Sequence, residues 1–215
     1  MKKLIIFDLD GTLLYTLEDL CASTNFALKS AGLPERSLDE VRRFVGNGIR
    51  KLIERAVPEG TDAELTDSVF AAFKTHYTAN CENKTAPYPG IPELLRSLKE
   101  RGAMLGVVSN KADKPAKKLI AHYFPGAFDS VVGEREGVRK KPAPDSVFET
   151  ARSLGCDMDD AVYVGDSDVD FRTAENAGCK CVLVSWGFRE RRLLDTFGAP
   201  IADSAQQLLE TLENI

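Results

Sequence analysis

Leu4-Ile5-Ile6-Phe7-Asp8-Leu9-Asp10-Gly11-Thr12 is the stretch on which the fold turns. Its four leading apolar residues read as a strand buried on both faces, the pattern of a parallel sheet. Alternation in the extended chain then sends Asp8 and Asp10 to one side and Leu9 to the other. The carboxyl end of a parallel strand is where open α/β sheets bind their ligands. Two carboxylates about 4 Å apart repel by roughly 4 kcal/mol at an effective dielectric of about 20, so the position expects a cation. An Asp followed by Gly-Thr also ends a strand in a plain turn, without any chemistry. The rest of the chain has to decide between the two.

Working outward, Met104-Leu105-Gly106-Val107-Val108 is a second strand-like run and ends in Ser109-Asn110. A third, Val162-Tyr163-Val164, ends in Gly165-Asp166-Ser167-Asp168-Val169-Asp170, and Lys140-Lys141-Pro142-Ala143-Pro144 lies between them. Strand-like segments near 3–8, 104–108, 129–132, 162–165 and 181–185 alternate with helical periodicity, which predicts an α/β fold with a doubly wound parallel sheet. Residues 16–82 break the alternation. Every pattern there is helical, with stripes at Leu17, Leu20, Cys21, Thr24, Leu28 and Ala31, at Leu52, Ile53, Ala56 and Val57, and at Leu65, Val69, Phe70, Phe73 and Tyr77. The return through Ala86-Pro87-Tyr88-Pro89-Gly90 has the residues of a linker. The expected organisation is a Rossmann-like core of 1–15 and 83–215 with a helical insert at 16–82.

These four segments, in this order and spacing, resemble the haloacid dehalogenase superfamily of aspartyl phosphotransferases, and the insert resembles its helical cap. The resemblance implies that Asp8 is the nucleophile, Asp10 the general acid and base, and Lys141 the residue that balances charge. It places phosphoryl oxygens on Ser109, with Gly11, Thr12 and Asn110 beside it. It implies Mg2+ held by Asp8, Asp166 and the Asp10 carbonyl, with Asp170 acting through water. Without it, Ser109 reads equally as a strand-end cap and Lys141 as a solvated lysine.

Each implied role has a physical reason. A carboxylate that attacks phosphorus splits one hard displacement into two easier ones. The leaving alkoxide needs a proton and the later water must lose one, so one nearby group serves both steps. Magnesium prefers oxygen ligands and takes one or two carboxylates together with phosphate. A helical cap closing over the pocket would exclude water.

Val41-Arg42-Arg43-Phe44-Val45-Gly46-Asn47-Gly48-Ile49-Arg50 resembles the cap loop of phosphoglycolate phosphatases, which implies 2-phosphoglycolate as the substrate. Glycines let backbone approach a small ligand and expose amides at a helix start. Gly46, Asn47 and Gly48 are therefore candidate substrate contacts, and Arg50 a candidate partner for a substrate carboxylate. Many of those phosphatases carry Asp-Ser where this chain has Tyr15-Thr16, close to the hinge of the insert. Trp186-Gly187-Phe188-Arg189 and Gly198-Ala199-Pro200-Ile201-Ala202-Asp203-Ser204 also resemble that group. Pyrophosphatases, nucleotidases and β-phosphoglucomutases share the core motifs, and Lys51 is the one well-placed lysine for a Schiff-base phosphonate hydrolase. A phospho-acceptor signalling module or an inert magnesium-binding homologue would use similar residues. The second acid at Asp10 and the insert argue against the first, and the full set of core positions against the second.

The 215 residues, 43% hydrophobic, suffice for one full core and a small insert. With 28 basic and 33 acidic side chains the net charge is -5, which argues against nucleic acid or an anionic membrane as partner. No run approaches the roughly 20 apolar residues of a membrane span. A cytoplasmic protein acting on a small phosphorylated metabolite, as monomer or homodimer, is expected. Cys21, Cys81, Cys156, Cys179 and Cys181 read as reduced thiols, and His76 and His122 as surface or packing residues.

Overall fold

The computed structural model describes residues 1–215. In chain order the elements are β1 (Leu4–Phe7), β2 (Leu14–Tyr15), α1 (Leu17–Ser30), α2 (Leu38–Phe44), α3 (Ile49–Ala56), α4 (Ala63–Asn80) and β3 (Ala86–Pro87). They continue with α5 (Ile91–Glu100), β4 (Met104–Ala112), α6 (Asp113–Tyr123), β5 (Ser130–Glu134), α7 (Asp145–Ser153) and β6 (Ala161–Gly165). The chain ends through α8 (Asp168–Ala177), β7 (Lys180–Val184), α9 (Arg191–Leu194), β8 (Ile201–Ala202) and α10 (Ala205–Glu213).

Six parallel strands form one sheet in the order β5-β4-β1-β6-β7-β8. The chain leaves β1 toward β4 and leaves β6 toward β7, so the connections diverge at the β1/β6 boundary and open a crevice at their carboxyl ends. Phe7 lies level with Val107 and with Val164. Asp8 and Asp166, just past β1 and β6, and Ser109, in the last part of β4 beyond Val108, therefore lie along one rim.

Both faces of the sheet are covered, and β1 shows the alternation directly. Ile5 and Phe7 belong to the larger buried cluster, with Leu94, Leu98, Leu119, Ile120, Leu208 and Leu212 from α5, α6 and α10. Leu4 and Ile6 face the opposite way, toward Val147 and Ala151 of α7 and Ala174 and Ala177 of α8. This is the doubly wound arrangement.

The helices α1 to α4 form the insert. Ser37 and Asp62 cap α2 and α4 by accepting bonds from Glu40 N and Leu65 N. Leu17, Leu20, Leu52, Phe73 and Tyr77 of the insert join the same apolar cluster as Phe7, Val107 and Val182, so the insert is packed onto the core. Two short pairings lay below the sequence pattern. β8 adds a sixth strand, and β2 pairs antiparallel with β3, Leu14 opposite Pro87 and Tyr15 opposite Ala86. The Ala86-Pro87 linker is thus half of a ribbon that joins the two chain crossings at the base of the insert. No helix is long and apolar enough to cross a membrane.

Candidate active site

Asp8, one residue beyond β1, is buried. Lys141 Nζ lies 2.8 Å from Asp8 Oδ1 and 2.8 Å from Asp170 Oδ1, and donates to the Tyr163 hydroxyl at 3.0 Å. These three acceptors account for the three ammonium donors. Tyr163 in turn donates to the Val108 carbonyl at 3.0 Å, which ties the lysine to the ends of β4 and β6.

Asp170 is placed by its own helix. Ser167 caps α8 and Asp170 closes the capping box, so its Oδ2 accepts from Asp166 N, Ser167 N and Ser167 Oγ at 3.2, 3.1 and 2.5 Å. Its Oδ2 is thereby filled, and its Oδ1 holds Lys141 with one lone pair to spare. Asp166 has more left: Phe188 N donates to Oδ2 at 2.6 Å, and the Thr12 hydroxyl to Oδ1 at 3.4 Å.

One oxygen from each of Asp8, Asp166 and Asp170 lies within 4.8 Å of the others. Burial raises the pKa of Asp8 to about 7, helped by the charges of Asp170 and Asp10 and opposed by Lys141. Burial likewise raises Asp166 well above the usual carboxylate range, with Asp170 and Asp8 adding to it. Burial also opposes the charge on Lys141, but Asp170 and Asp8 outweigh it and hold the ammonium protonated. Three buried carboxylates against one ammonium leave a negative site made of oxygen donors, which fits a hard divalent cation. The backbone crowds around it. Gly11 has φ +91°, and a Cβ there, or at Gly187, would overlap the Asp166 carboxylate. Asp8 and Asp166 have oxygens left to hold such an ion, and Asp170 orients its neighbours.

Asp10 faces the insert. Its Oδ1 accepts from the Thr16 hydroxyl at 2.6 Å and from Lys111 Nζ at 2.8 Å. The pocket over these groups is lined from the core by Asp8, Asp10, Ser109, Lys111, Asp166 and Arg189, and from the insert by Leu20, Val45, Gly46, Gly48, Ile49 and Leu52. Gly48 precedes α3 with φ +84°, a conformation that favours glycine. Asn110 Nδ2 donates to the Gly46 carbonyl at 3.0 Å, and Arg189 donates to the Val45 and Arg42 carbonyls at 2.6 and 3.2 Å. The loop of the insert is therefore pinned to the core at the pocket mouth.

Several predicted contacts lie elsewhere. Arg50 and Asn47 do not line the pocket. Arg50 pairs with Glu54 one turn on and with Asp67, and Asn47 Oδ1 accepts from Arg55. Lys51 is exposed and paired with Glu54. Thr12 is fully buried behind Asp166, and Gly11 abuts the same carboxylate. The Asn110 amide bonds the Gly46 and Lys141 carbonyls through its nitrogen and Lys141 N through its oxygen, so the side chain acts as a clamp. It lines the pocket all the same, where Asp8, Asp10, Ser109, Asn110, Lys141 and Asp166 meet Gly46 and Gly48.

The residues missed from sequence are Lys111, Arg189, Thr16, Tyr77 and the Phe188 amide. None carried a local signal: the strand-like run before Lys111 ends at Val108 in the sequence, whereas the strand itself continues to Ala112. A charged residue in a strand that runs on to Ala112 has to find a partner when the sheet is covered on both faces.

A family model for haloacid dehalogenase-like hydrolases matches residues 5–184. The chain is 37% identical over 187 residues to a phosphoglycolate phosphatase from Aquifex aeolicus, spanning 86% of either chain. It is 37% identical over 201 residues to a phosphoglycolate phosphatase from Caulobacter vibrioides, spanning 92% of this chain and 84% of that one. A crystal structure from Lactobacillus delbrueckii subsp. bulgaricus, of a protein assigned as a phosphoglycolate phosphatase, superimposes with a TM-score of 0.93 at 35% identity, covering 98% of each chain.

Proposed function

Because the chain belongs to the haloacid dehalogenase-like hydrolases, we propose that it hydrolyses 2-phosphoglycolate through an aspartyl phosphate on Asp8, with Mg2+ held by Asp8 and Asp166. It is a phosphoric monoester hydrolase similar to phosphoglycolate phosphatases. The observation that carries the rest is the setting of Asp8, which lines the pocket: its Oδ1 is paired with Lys141, while its Oδ2 has no hydrogen-bond partner in the protein.

In the first half-reaction an Asp8 oxygen forms a bond to phosphorus as the ester P–O bond breaks. The departing alkoxide takes a proton from Asp10, which gives glycolate. In the second, Asp10 takes a proton from a water that attacks the acyl phosphate, and orthophosphate leaves with the Asp8 carboxylate restored. Lys141 neutralises charge around Asp8 throughout. The Ser109 oxygen accepts from Lys111 N at 3.2 Å, which leaves its hydroxyl proton for a phosphoryl oxygen. A divalent cation, when bound, would neutralise the phosphoryl oxygens and the excess charge of the carboxylates. Leu20, Ile49 and Leu52 close the pocket from the insert with apolar side chains, which favours a short substrate over a sugar ring or a nucleoside. The same proposal has the protein working in the cytoplasm, as monomer or homodimer.

The test is multiple-turnover release of phosphate from 2-phosphoglycolate, ethyl phosphate, pyrophosphate, a hexose phosphate and a nucleotide, with Mg2+ and with chelator. Mg2+-dependent turnover that is fastest for 2-phosphoglycolate is expected, together with one phosphoryl group on the Asp8 peptide after acid quench. Equal rates with chelator, or a better substrate elsewhere in the panel, would overturn it.

A further inference from the structure

Of the two buried lysines in the pocket, Lys141 has all three donors matched, as described above. Lys111 does not. Its Nζ donates to Asp10 Oδ1 at 2.8 Å and to the Tyr77 hydroxyl at 2.5 Å, and its side chain is 2% exposed. An ammonium has three donors, so one has no partner in the protein, on a residue that lines the pocket. The other cations near the mouth are anchored away from Asp10, although two of the five Arg189 N–H groups are unmatched. Arg189 uses its nitrogens on the Val45 and Arg42 carbonyls and Asp168, and Lys140 pairs with Glu134.

Asp10 marks where the bridging oxygen of a substrate must lie, since it exchanges its proton with that oxygen. A cation bonded to Asp10 therefore sits beside whatever the oxygen carries. In a phosphate ester of a 2-hydroxy acid, the carboxylate begins two bonds beyond the oxygen, within reach of such a cation. We infer that Lys111 is the specificity-determining residue of this site and that its third donor binds the carboxylate of the substrate. This rests on the 2-phosphoglycolate assignment and adds the residue that recognises the acid. Tyr77 belongs to α4, so the insert sets the position of the ammonium without touching the substrate itself.

The experiment compares kcat/KM for 2-phosphoglycolate and ethyl phosphate in wild type, Lys111→Met and Lys111→Gln. Both substrates are alkyl esters that need the same proton from Asp10, so a mere loss of Asp10 positioning lowers both alike. A lost charge-assisted hydrogen bond in a dry site should cut the preference for 2-phosphoglycolate by roughly 10- to 100-fold, seen chiefly in KM. Lys111→Gln keeps a donor for Asp10, so it should fold where Met does not and still lose the preference. If wild type does not prefer 2-phosphoglycolate, the substrate assignment falls and this role with it. If wild type prefers it and either folded variant keeps the preference, Lys111 is only a support for Asp10 and the inference is wrong.

Discussion

Replacing Asp8 with Asn should abolish turnover and yet stabilise the protein in the presence of chelator. Asp8 shares its burial with Asp166 and Asp170, and only Lys141 opposes them. Its pKa of about 7 stands above the ordinary 3.8 of the unfolded chain. Between those two values the folded protein holds a proton that the unfolded chain has released, so stability falls as pH rises through the window and stays low above it. At about 1.36 kcal/mol per pH step, the cost reaches at most roughly 4 kcal/mol by pH 8. Asn has the shape of the protonated acid and never carries the charge. Asp8→Asn should therefore be more stable than wild type at pH 8, by at most roughly 8–16 °C at about 2–4 °C per kcal/mol for this chain length. At pH 5 the advantage should shrink by roughly 3 kcal/mol. Urea unfolding with chelator at both pH values measures the difference, and added Mg2+ should narrow it by stabilising wild type more than the variant. A variant no more stable than wild type at pH 8, or one with the same advantage at pH 5, would refute the charge-crowding explanation of this site.

Asp170→Asn should destabilise, because either orientation of the amide turns its NH2 toward Lys141 or toward the Ser167 and Asp166 donors; about 3 kcal/mol is expected in urea unfolding, and a loss below about 1 kcal/mol would count against the pairing. Gly48→Val forces a branched side chain to φ +84°, at about 1–3 kcal/mol. Its kcat/KM should fall further for 2-phosphoglycolate than for nitrophenyl phosphate, and an equal fall would separate the loop from substrate choice. Lys51→Ala should keep kcat/KM within about twofold, since Lys51 is exposed and paired with Glu54. A loss of more than about tenfold would reopen the Schiff-base chemistry that this lysine raised.

The core of the fold could be read from the chain because its signals are local. Apolar runs such as Leu4-Ile5-Ile6-Phe7 are buried whichever neighbours they find, and acids at the ends of parallel strands emerge at one rim whatever the strand order. Those two facts put Asp8 and Asp166 at one rim, whereas Ser109 and Lys141 followed only from the resemblance to the haloacid dehalogenase superfamily; all four line one pocket. The two-residue pairings of β2 with β3 and of β8 with β7 carry no periodicity, since two residues cannot alternate. The fate of individual charges also escaped the sequence. Arg50, beside a glycine loop, looked like a ligand, but a helix offers Glu54 one turn away and Asp67 of α4 packs alongside, so it stays outside. Lys111 looked like any charged residue past a strand. It is buried because β4 lies beside β1, which brings it to Asp10, and because α4 folds Tyr77 over it from the insert. A side chain's chemistry follows from its own atoms, whereas its partner is set by which distant segments the sheet and the insert bring within about 3 Å, the range of a hydrogen bond.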